Sequence, residues 1–251
     1  MRNMLSVQGL KKSFGGIKAV DTSSLDVADG GTVGVIGPNG AGKTTLFNLI
    51  SGFDTPDTGT IVFDGENIAG KPSAEIARMG LIRTFQLSKA LTRLTVVENM
   101  MLAPQVQYGE RIWNVWLRPR EVKQQEETNR EKAISLLEFF GLRSKKDDYA
   151  GALSGGQKRL LEIARALMAE PKMLLLDEPF SGVNPTLTKR ILEYLKTLRE
   201  EGMTFLVIEH DMHIIMQLSD FLYVLNKGKV IASGVPEEVR HNERVLDAYL
   251  G

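Results

Sequence analysis

The sequence predicts an α/β fold: a parallel sheet wound on both faces by helices, a small antiparallel β part at the N-terminal end, and an inserted helical subdomain. Three observations carry this. Short apolar runs alternate with helical patterns over residues 32–85 and again over 173–232, which implies βα units and a parallel sheet. A glycine-rich loop, residues 37–45 (GPNGAGKTT), joins one of these runs to an apolar helix. From residue 87 to about residue 153 the alternation stops. With 251 residues the chain can bury a full core. The expected division is one domain, 1–251, with a core of 1–86 and 160–251 and a helical subdomain of 87–159.

In chain order, Ser6 to Leu10 and Ser24 to Val27 read as strands around the turn Phe14-Gly15-Gly16. Thr32 to Ile36 is a buried strand, and the helix after the loop carries Leu46, Phe47, Leu49 and Ile50. Thr60 to Phe63 is a strand closed by Asp64-Gly65. Ser73 starts a helix that ends near Gly80, and Leu81 to Phe85 is a strand closed by Gln86. Thr95 is the expected N-cap of a helix reaching Leu102. Residues 104–120 hold both tryptophans, Trp113 and Trp116, expected either to brace a docking surface or to fill the helical subdomain's core. Glu121 to Phe140 is a helix whose stripe is Ala133, Leu136, Leu137 and Phe140, with Gly141 at its end. Leu160 to Met168 is an apolar helix, Met173 to Leu176 a buried strand, Thr186 to Glu201 an amphipathic helix, and Phe205 to Ile208 another buried strand. Met212 to Leu218 is a helix; Phe221 to Leu225 and Val230 to Ala232 are strands; the tail from Pro236 to Leu250 reads as two short helices.

Composition excludes several classes. Basic and acidic residues number 31 each, without the basic excess of a duplex-DNA binder, so no nucleic-acid partner is expected. There is no cysteine, hence no disulfide framework or thiolate metal site. The opening MRNMLSVQGLKKSF has no apolar segment of secretory length. No run of about 18 apolar residues occurs, so any membrane role is peripheral, through a partner.

The loop's spacing, Gly37, four residues, Gly42, Lys43, Thr44, is the phosphate-cradling P-loop pattern between a strand and a helix. Glycines let the backbone turn tightly and approach a ligand. Backbone N–H groups and a helix N-terminus then converge on an anion. Lys43 adds a point charge for the β- and γ-phosphates, the Thr44 hydroxyl can ligate Mg²⁺, and Thr45 can donate a further phosphate bond. The pattern would arise by chance in roughly one in a hundred chains of this length, and its strand–helix setting lowers that further, so it predicts nucleoside triphosphate binding. Gly37, Pro38, Asn39, Gly40, Ala41, Gly42, Lys43, Thr44 and Thr45 form the expected nucleotide cradle. Phe14 is the candidate ring to stack on a purine, with Val20 as an apolar flank.

Two further stretches bear on the chemistry. The strand Met173 to Leu176 delivers Asp177 and Glu178 at its carboxyl end, where ligands of open α/β sheets sit. Asp177 can hold Mg²⁺, and Glu178 can orient an attacking water or take its proton. Residues 153–157, LSGGQ, form a second helix N-terminus with close backbone access, led by Ser154, either as an anion site or as an ordinary cap. One nucleotide does not need two such sites in a single chain. Two chains packed head to tail would use both.

LSGGQ after a P-loop and before the strand–Asp–Glu resembles the ATP-binding cassette (ABC) ATPases, over essentially the whole chain. That resemblance implies a P-loop NTPase core of RecA-like type and a dimer holding ATP between two cassettes. It assigns Phe14 to adenine stacking and Gln86 to the glutamine that reaches Mg²⁺ and the water and senses a membrane partner. Asp177 resembles the Mg²⁺-associated acid, Glu178 the catalytic carboxylate, and His210 the switch histidine that contacts the γ-phosphate. The implied catalytic set is Glu178, His210, Gln86 and Lys43; the metal set is Thr44, Gln86 and Asp177; the partner copy is met by Ser154, Gly155, Gly156 and Gln157. Ser181-Gly182-Val183-Asn184 departs from the family, which often ends this loop in Asp.

Phe14-Gly15-Gly16, Arg83 to Gln86, Thr95 to Asn99, Ile208 to Met212 and the ending Ala248 to Gly251 are similar to ATPases of branched-chain amino-acid importers. The resemblance implies integral membrane permease subunits, an external binding protein acting indirectly, and a position on the cytoplasmic face of the cell membrane. Lipopolysaccharide exporters and urea or amide importers share several of these features. A GTPase is disfavoured because no N-K-x-D motif occurs. A DNA-repair ABC ATPase is disfavoured because the insertion lacks a long coiled coil.

Overall fold

The computed structural model describes residues 2–84, 91–105, 107 and 112–250. By contact the chain divides into two compact units: Met1–Gln86, Lys172–Ser181 and Thr188–Gly251 in one, Leu87–Pro171 and Gly182–Leu187 in the other.

In order, the chain forms β1 (Asn3–Phe14), β2 (Ile17–Ala28), β3 (Thr32–Ile36), α1 (Lys43–Ile50), β4 (Thr58–Phe63), β5 (Glu66–Asn67), α2 (Ser73–Arg78) and β6 (Leu81–Arg83). The helical part adds α3 (Val96–Met101), α4 (Ile112–Leu117), α5 (Pro119–Phe139) and α6 (Gly155–Met168). Then come β7 (Met173–Asp177), α7 (Pro185–Glu200), β8 (Thr204–Ile208), α8 (Met212–Leu218), β9 (Phe221–Asn226), β10 (Lys229–Gly234), α9 (Pro236–Arg240) and α10 (Glu243–Leu250).

The first unit holds two sheets. One is antiparallel, in the order β2-β1-β4-β5. The other runs β10-β9-β3-β8-β7-β6, parallel throughout except at the β10 edge. The central strands of this sheet are mostly apolar because both their faces are covered. β3, β7 and β8 are buried at every position. The antiparallel hairpin extends well beyond the two short strands expected from periodicity. Its register shifts between Val7 and Leu10, around Gly9 at φ 57°, so the buried Leu5, Val7 and Leu10 do not keep a strict alternation. One apolar cluster joins both sheets to α1, with Leu5, Val7, Phe47, Ile61, Phe63 and Leu206 fully enclosed.

The second unit packs α3, α5 and α6 against one another. The whole of α6 belongs to it, so the contact boundary falls after Pro171 and not at residue 159. The start of α3 is fixed by a reciprocal capping box. Thr95 Oγ1 accepts the Glu98 N–H and Glu98 Oε2 accepts the Thr95 N–H, at 3.2 and 2.7 Å. Asn99 is buried; its Oδ1 accepts the Leu91 N–H at 2.8 Å, and its Nδ2 donates to the Leu91 and Thr95 carbonyls at 3.1 and 2.9 Å. That side chain gives the loop before α3 three of its backbone hydrogen-bond partners. Trp113 and Trp116 on α4 are 78% and 82% exposed, so they do not fill the subdomain's core.

Among the described residues, no helix is long and apolar enough to cross a membrane.

Candidate functional site

The register of the parallel sheet brings the site together. Val35 pairs with Ile208, and Ile208 pairs with Asp177. The carboxyl ends of three adjacent strands, β3, β8 and β7, are therefore level. The loops that leave them carry Gly37 onward, Glu209-His210 and Glu178. This is the edge where α/β sheets bind ligands.

From β3 the chain enters the glycine loop. Gly37, Gly40 and Gly42 have φ of 150°, 77° and 102°, values that L side chains rarely adopt. A Cβ on Gly37 would meet the Leu225 carbonyl at 2.1 Å, and one on Gly42 the Ala19 carbonyl at 2.2 Å. Both glycines are thus required by backbone packing as well as by the turn. Lys43 opens α1 and is 7% exposed. Its Nζ donates to the Gly37 and Pro38 carbonyls at 2.7 and 3.1 Å. Burial lowers its pKa, while the Glu178 and Asp177 carboxylates act the other way. A cation thus stands inside the loop, near enough to feel the charges of Glu178 and of Asp177 at the end of β7. Thr44 is exposed and Thr45 half-buried on the first turn of the same helix. From the other end of the chain α10 brings Tyr249, whose pKa burial raises while the Gly37 backbone lowers it.

Asp177 ends β7 and is 4% exposed. Arg83 on β6 pairs with its Oδ2 at 2.8 Å and also donates to Asn48 Oδ1 and Ser51 Oγ of α1, at 2.7 and 3.1 Å. The guanidinium lies over the rings of Phe47 and Phe53, 5.6 and 5.8 Å from their centroids. One buried cation therefore ties the P-loop helix to the acidic strand end. Sequence reading marks Arg83 only as part of a family-like stretch and gives it no role, because nothing in the pattern separates it from a solvated strand-end arginine.

Glu178 has φ 47°. Its N–H donates to the Ile208 carbonyl at 3.0 Å, and its own carbonyl accepts the Ser181 N–H at 3.1 Å. His210 Nδ1 lies 3.9 Å from Glu178 Oε2 and 3.7 Å from Glu209 Oε2. The His210 ring is 58% exposed, while the Glu178 side chain is 20% exposed. Lys43, Asp177, Glu178 and His210 thus share one edge of one unit. Gln86 lies outside the described residues.

Phe14, at the end of β1, is 48% exposed, with Lys12 Nζ 5.3 Å from its ring centroid. Val20 is 1% exposed and belongs to the core. It offers no free flank, because β2 turns it inward. Ile17 pairs with Phe14 across the hairpin and is 73% exposed, so it supplies the open apolar neighbour instead.

In the helical unit Ser154 caps α6. Its Oγ accepts the Gln157 N–H at 3.3 Å, while Gln157 Oε1 accepts the Ser154 N–H at 2.9 Å. The Gln157 side chain is therefore engaged in its own helix's cap, and Ser154 and Gly155 are exposed. A Cβ on Gly155 would meet nothing within 4 Å, whereas one on Gly156 would meet Leu187 Cδ2 at 2.1 Å. The two adjacent glycines differ in purpose: one leaves the cap open, the other admits the start of α7. Asn184 Oδ1 accepts the Leu187 N–H at 2.9 Å, an N-cap bond to α7 that amide and carboxylate make equally well.

Among the described residues there is no group of three or more His, Cys, Asp or Glu that could hold a metal. The donors present, the Thr44 hydroxyl and the Asp177 carboxylate, fit Mg²⁺ nevertheless. That ion takes few protein ligands and draws the rest from phosphates and water.

Residues 20–181 match the ABC transporter family, and residues 229–251 match the branched-chain amino acid ATP-binding cassette transporter family. The "Probable branched-chain amino acid transport ATP-binding protein LivG" of Archaeoglobus fulgidus is 44% identical over 248 residues, 99% of this chain and 95% of that protein. The crystal structure of a nucleotide-free ATP-binding cassette from an ABC transporter is similar at 38% identity and TM-score 0.86, covering 100% of each chain. The dimeric, post-hydrolysis structure of an ATP-binding cassette bound to ADP and Pi is similar at 26% identity and TM-score 0.77, covering 93% of this chain and 99% of that one.

Breaking a buried ion pair by removing one partner strands the other charge. Arg83→Met is expected to lower the unfolding free energy by about 3 kcal/mol, read by urea denaturation. A change within error of zero would show that Asp177 does not depend on this partner.

Proposed function

The chain belongs to the ABC transporter family of ATP-binding proteins, and from that premise we propose that it hydrolyses ATP to power an importer of branched-chain amino acids. The observation that carries the proposal is the level strand register that sets Lys43, Asp177, Glu178 and His210 at one sheet edge. The substrate class is supported by the match of residues 229–251 and by the name of the LivG relative.

Each group then has a role its chemistry permits. The glycine loop's N–H groups and the Lys43 ammonium bind the β- and γ-phosphates. Phe14, with Ile17 beside it, stacks against the adenine. Glu178 accepts the proton of the attacking water or orients it, and His210 donates to the γ-phosphate. Thr44 and Asp177 would hold Mg²⁺, with Gln86 completing the set. The ion, when bound, neutralises charge that builds on the phosphate oxygens. Most of the rate comes from positioning and charge stabilisation.

The exposed Ser154–Gly155 turn serves a second cassette, homologous or identical. It meets the γ-phosphate held by that copy's P-loop, so ATP closes the dimer and hydrolysis reopens it. The similarity to a dimeric cassette supports this arrangement. Integral permease subunits hold the dimer at the cytoplasmic face of the membrane, and a binding protein outside delivers the amino acid. Trp113, Trp116 and Leu117, all more than three-quarters exposed on α4, form the apolar surface offered to those subunits.

Glu178→Gln is expected to leave ATP affinity intact, to lower turnover by about a hundredfold or more, and to accumulate an ATP-held dimer in light scattering. Turnover at the parental rate would remove Glu178 from the catalytic role. Trp113→Ala with Trp116→Ala is expected to keep the isolated chain's melting temperature while abolishing co-purification with the permease. A lower melting temperature with intact assembly would assign the rings to packing.

A further inference from the structure

Beside the acids named above stands a third that the proposed mechanism does not use. Glu209 follows β8 and is 1% exposed. Its Oε1 accepts the Phe180 N–H at 3.0 Å and its Oε2 accepts the His210 N–H at 3.1 Å. Phe180 lies two residues beyond Glu178 on the loop leaving β7, and His210 opens the loop leaving β8. One carboxylate therefore bridges the two loops that carry the proposed water-activating acid and the proposed γ-phosphate donor.

We infer that Glu209 is a positioning residue for ATP hydrolysis: its carboxylate fixes the distance between the Glu178 turn and His210. The inference rests on the reading that these two residues turn over ATP. Its physical basis is threefold. An ionised carboxylate has acceptors only, and here each oxygen is matched to one N–H donor. A hydrogen bond to an ionised acceptor is also stronger than one to a neutral acceptor. Glu178 also adopts φ 47°, a sparsely populated conformation for a residue with a Cβ. Backbone of that kind persists only where its surroundings over-determine it. The ties here are the Glu178 N–H to the Ile208 carbonyl, the Ser181 N–H to the Glu178 carbonyl, and the Glu209 bond to Phe180. Of these, only the Glu209 bond uses a side chain, and the same side chain holds His210.

Burial also makes this acid costly. It pushes the Glu209 carboxyl's pKa up, against the two backbone N–H groups that hold it down. An apolar residue of the same volume would avoid that cost but leave the Phe180 and His210 N–H groups without this acceptor. Glutamate is the side chain that satisfies both donors at once. Glutamine has the same size but one acceptor, and its amide would set N–H against N–H.

The experiment compares Glu209→Gln, Glu209→Ala, Glu209→Asp, Glu178→Gln and the double variant Glu178→Gln/Glu209→Gln in the full chain. Melting temperature, affinity for a fluorescent ATP analogue, KM and kcat are measured on each. Glu209→Gln is expected to fold, to keep nucleotide affinity and KM within about twofold, and to lose kcat by about tenfold or more. In the Glu178→Gln background the same change should cost nothing further, because groups that act as one unit are non-additive. A folded Glu209→Gln with parental kcat overturns the inference, as do losses that multiply in the double variant. Should the glutamine and alanine variants not fold, Glu209→Asp decides. It keeps the charge and both acceptors but is one methylene short, so the same fall in kcat at unchanged affinity supports the inference and a parental kcat overturns it. Parental turnover in Glu178→Gln itself would instead condemn the underlying reading of the site, so the two failures are distinguishable.

Discussion

Three parallel strands ending level is the constraint on which the rest of this molecule depends. β3, β8 and β7 are buried at every position and mostly apolar, so their pairing cannot slip without exposing core. A fixed register means fixed loop origins. Lys43, Asp177, Glu178 and His210 are far apart in sequence, yet each departs from, or lies just beyond, the same edge of the same sheet. The site is in this sense a by-product of hydrophobic packing, and its accuracy is inherited from the core.

Charge at that edge is balanced in pairs. Lys43 sits within the glycine loop under the influence of Glu178 and Asp177. Arg83 holds Asp177 on the far side. Glu209 is met by two N–H groups. In a water-poor setting an unmatched charge is expensive, so each of these groups needs its partner for the others to keep their positions. The glycines belong to the same logic. Gly37 and Gly42 are where Leu225 and Ala19 carbonyls press against the loop, which ties the phosphate cradle to β9 and to the antiparallel hairpin.

Much of this was legible in the sequence. The P-loop spacing, the acid pair after Met173 to Leu176, His210 after Phe205 to Ile208 and the inserted helical region all carry signals of period, spacing or order. What was not legible has physical reasons. Val20 read as an apolar flank because periodicity in β2 is disturbed by register shifts, and the structure turns it into the core. Ile17 was passed over because a lone isoleucine beside two glycines carries no signal until the hairpin pairs it with Phe14. Arg83 and Glu209 look like ordinary charged residues at strand ends. Only tertiary contact shows that both are buried and multiply bonded. Sequence alone sets the boundary of the helical unit at residue 159, which falls inside α6, a helix that belongs whole to that unit and packs on α3 and α5. Gln86 falls outside the described residues.

The account's central claim is that nucleotide is gripped between the glycine loop of one copy and the Ser154 turn of another cassette. Because the chain contains no cysteine, interchain disulfide trapping reads that contact directly. Asn39→Cys and Ser154→Cys are introduced into separately tagged copies, each in the Glu178→Gln background, mixed, and oxidised with and without MgATP. The account predicts a heterotypic cross-link that forms with MgATP and is lost when the nucleotide is withdrawn. A cross-link indifferent to nucleotide, or none at saturating MgATP even with the permease supplied, would contradict it.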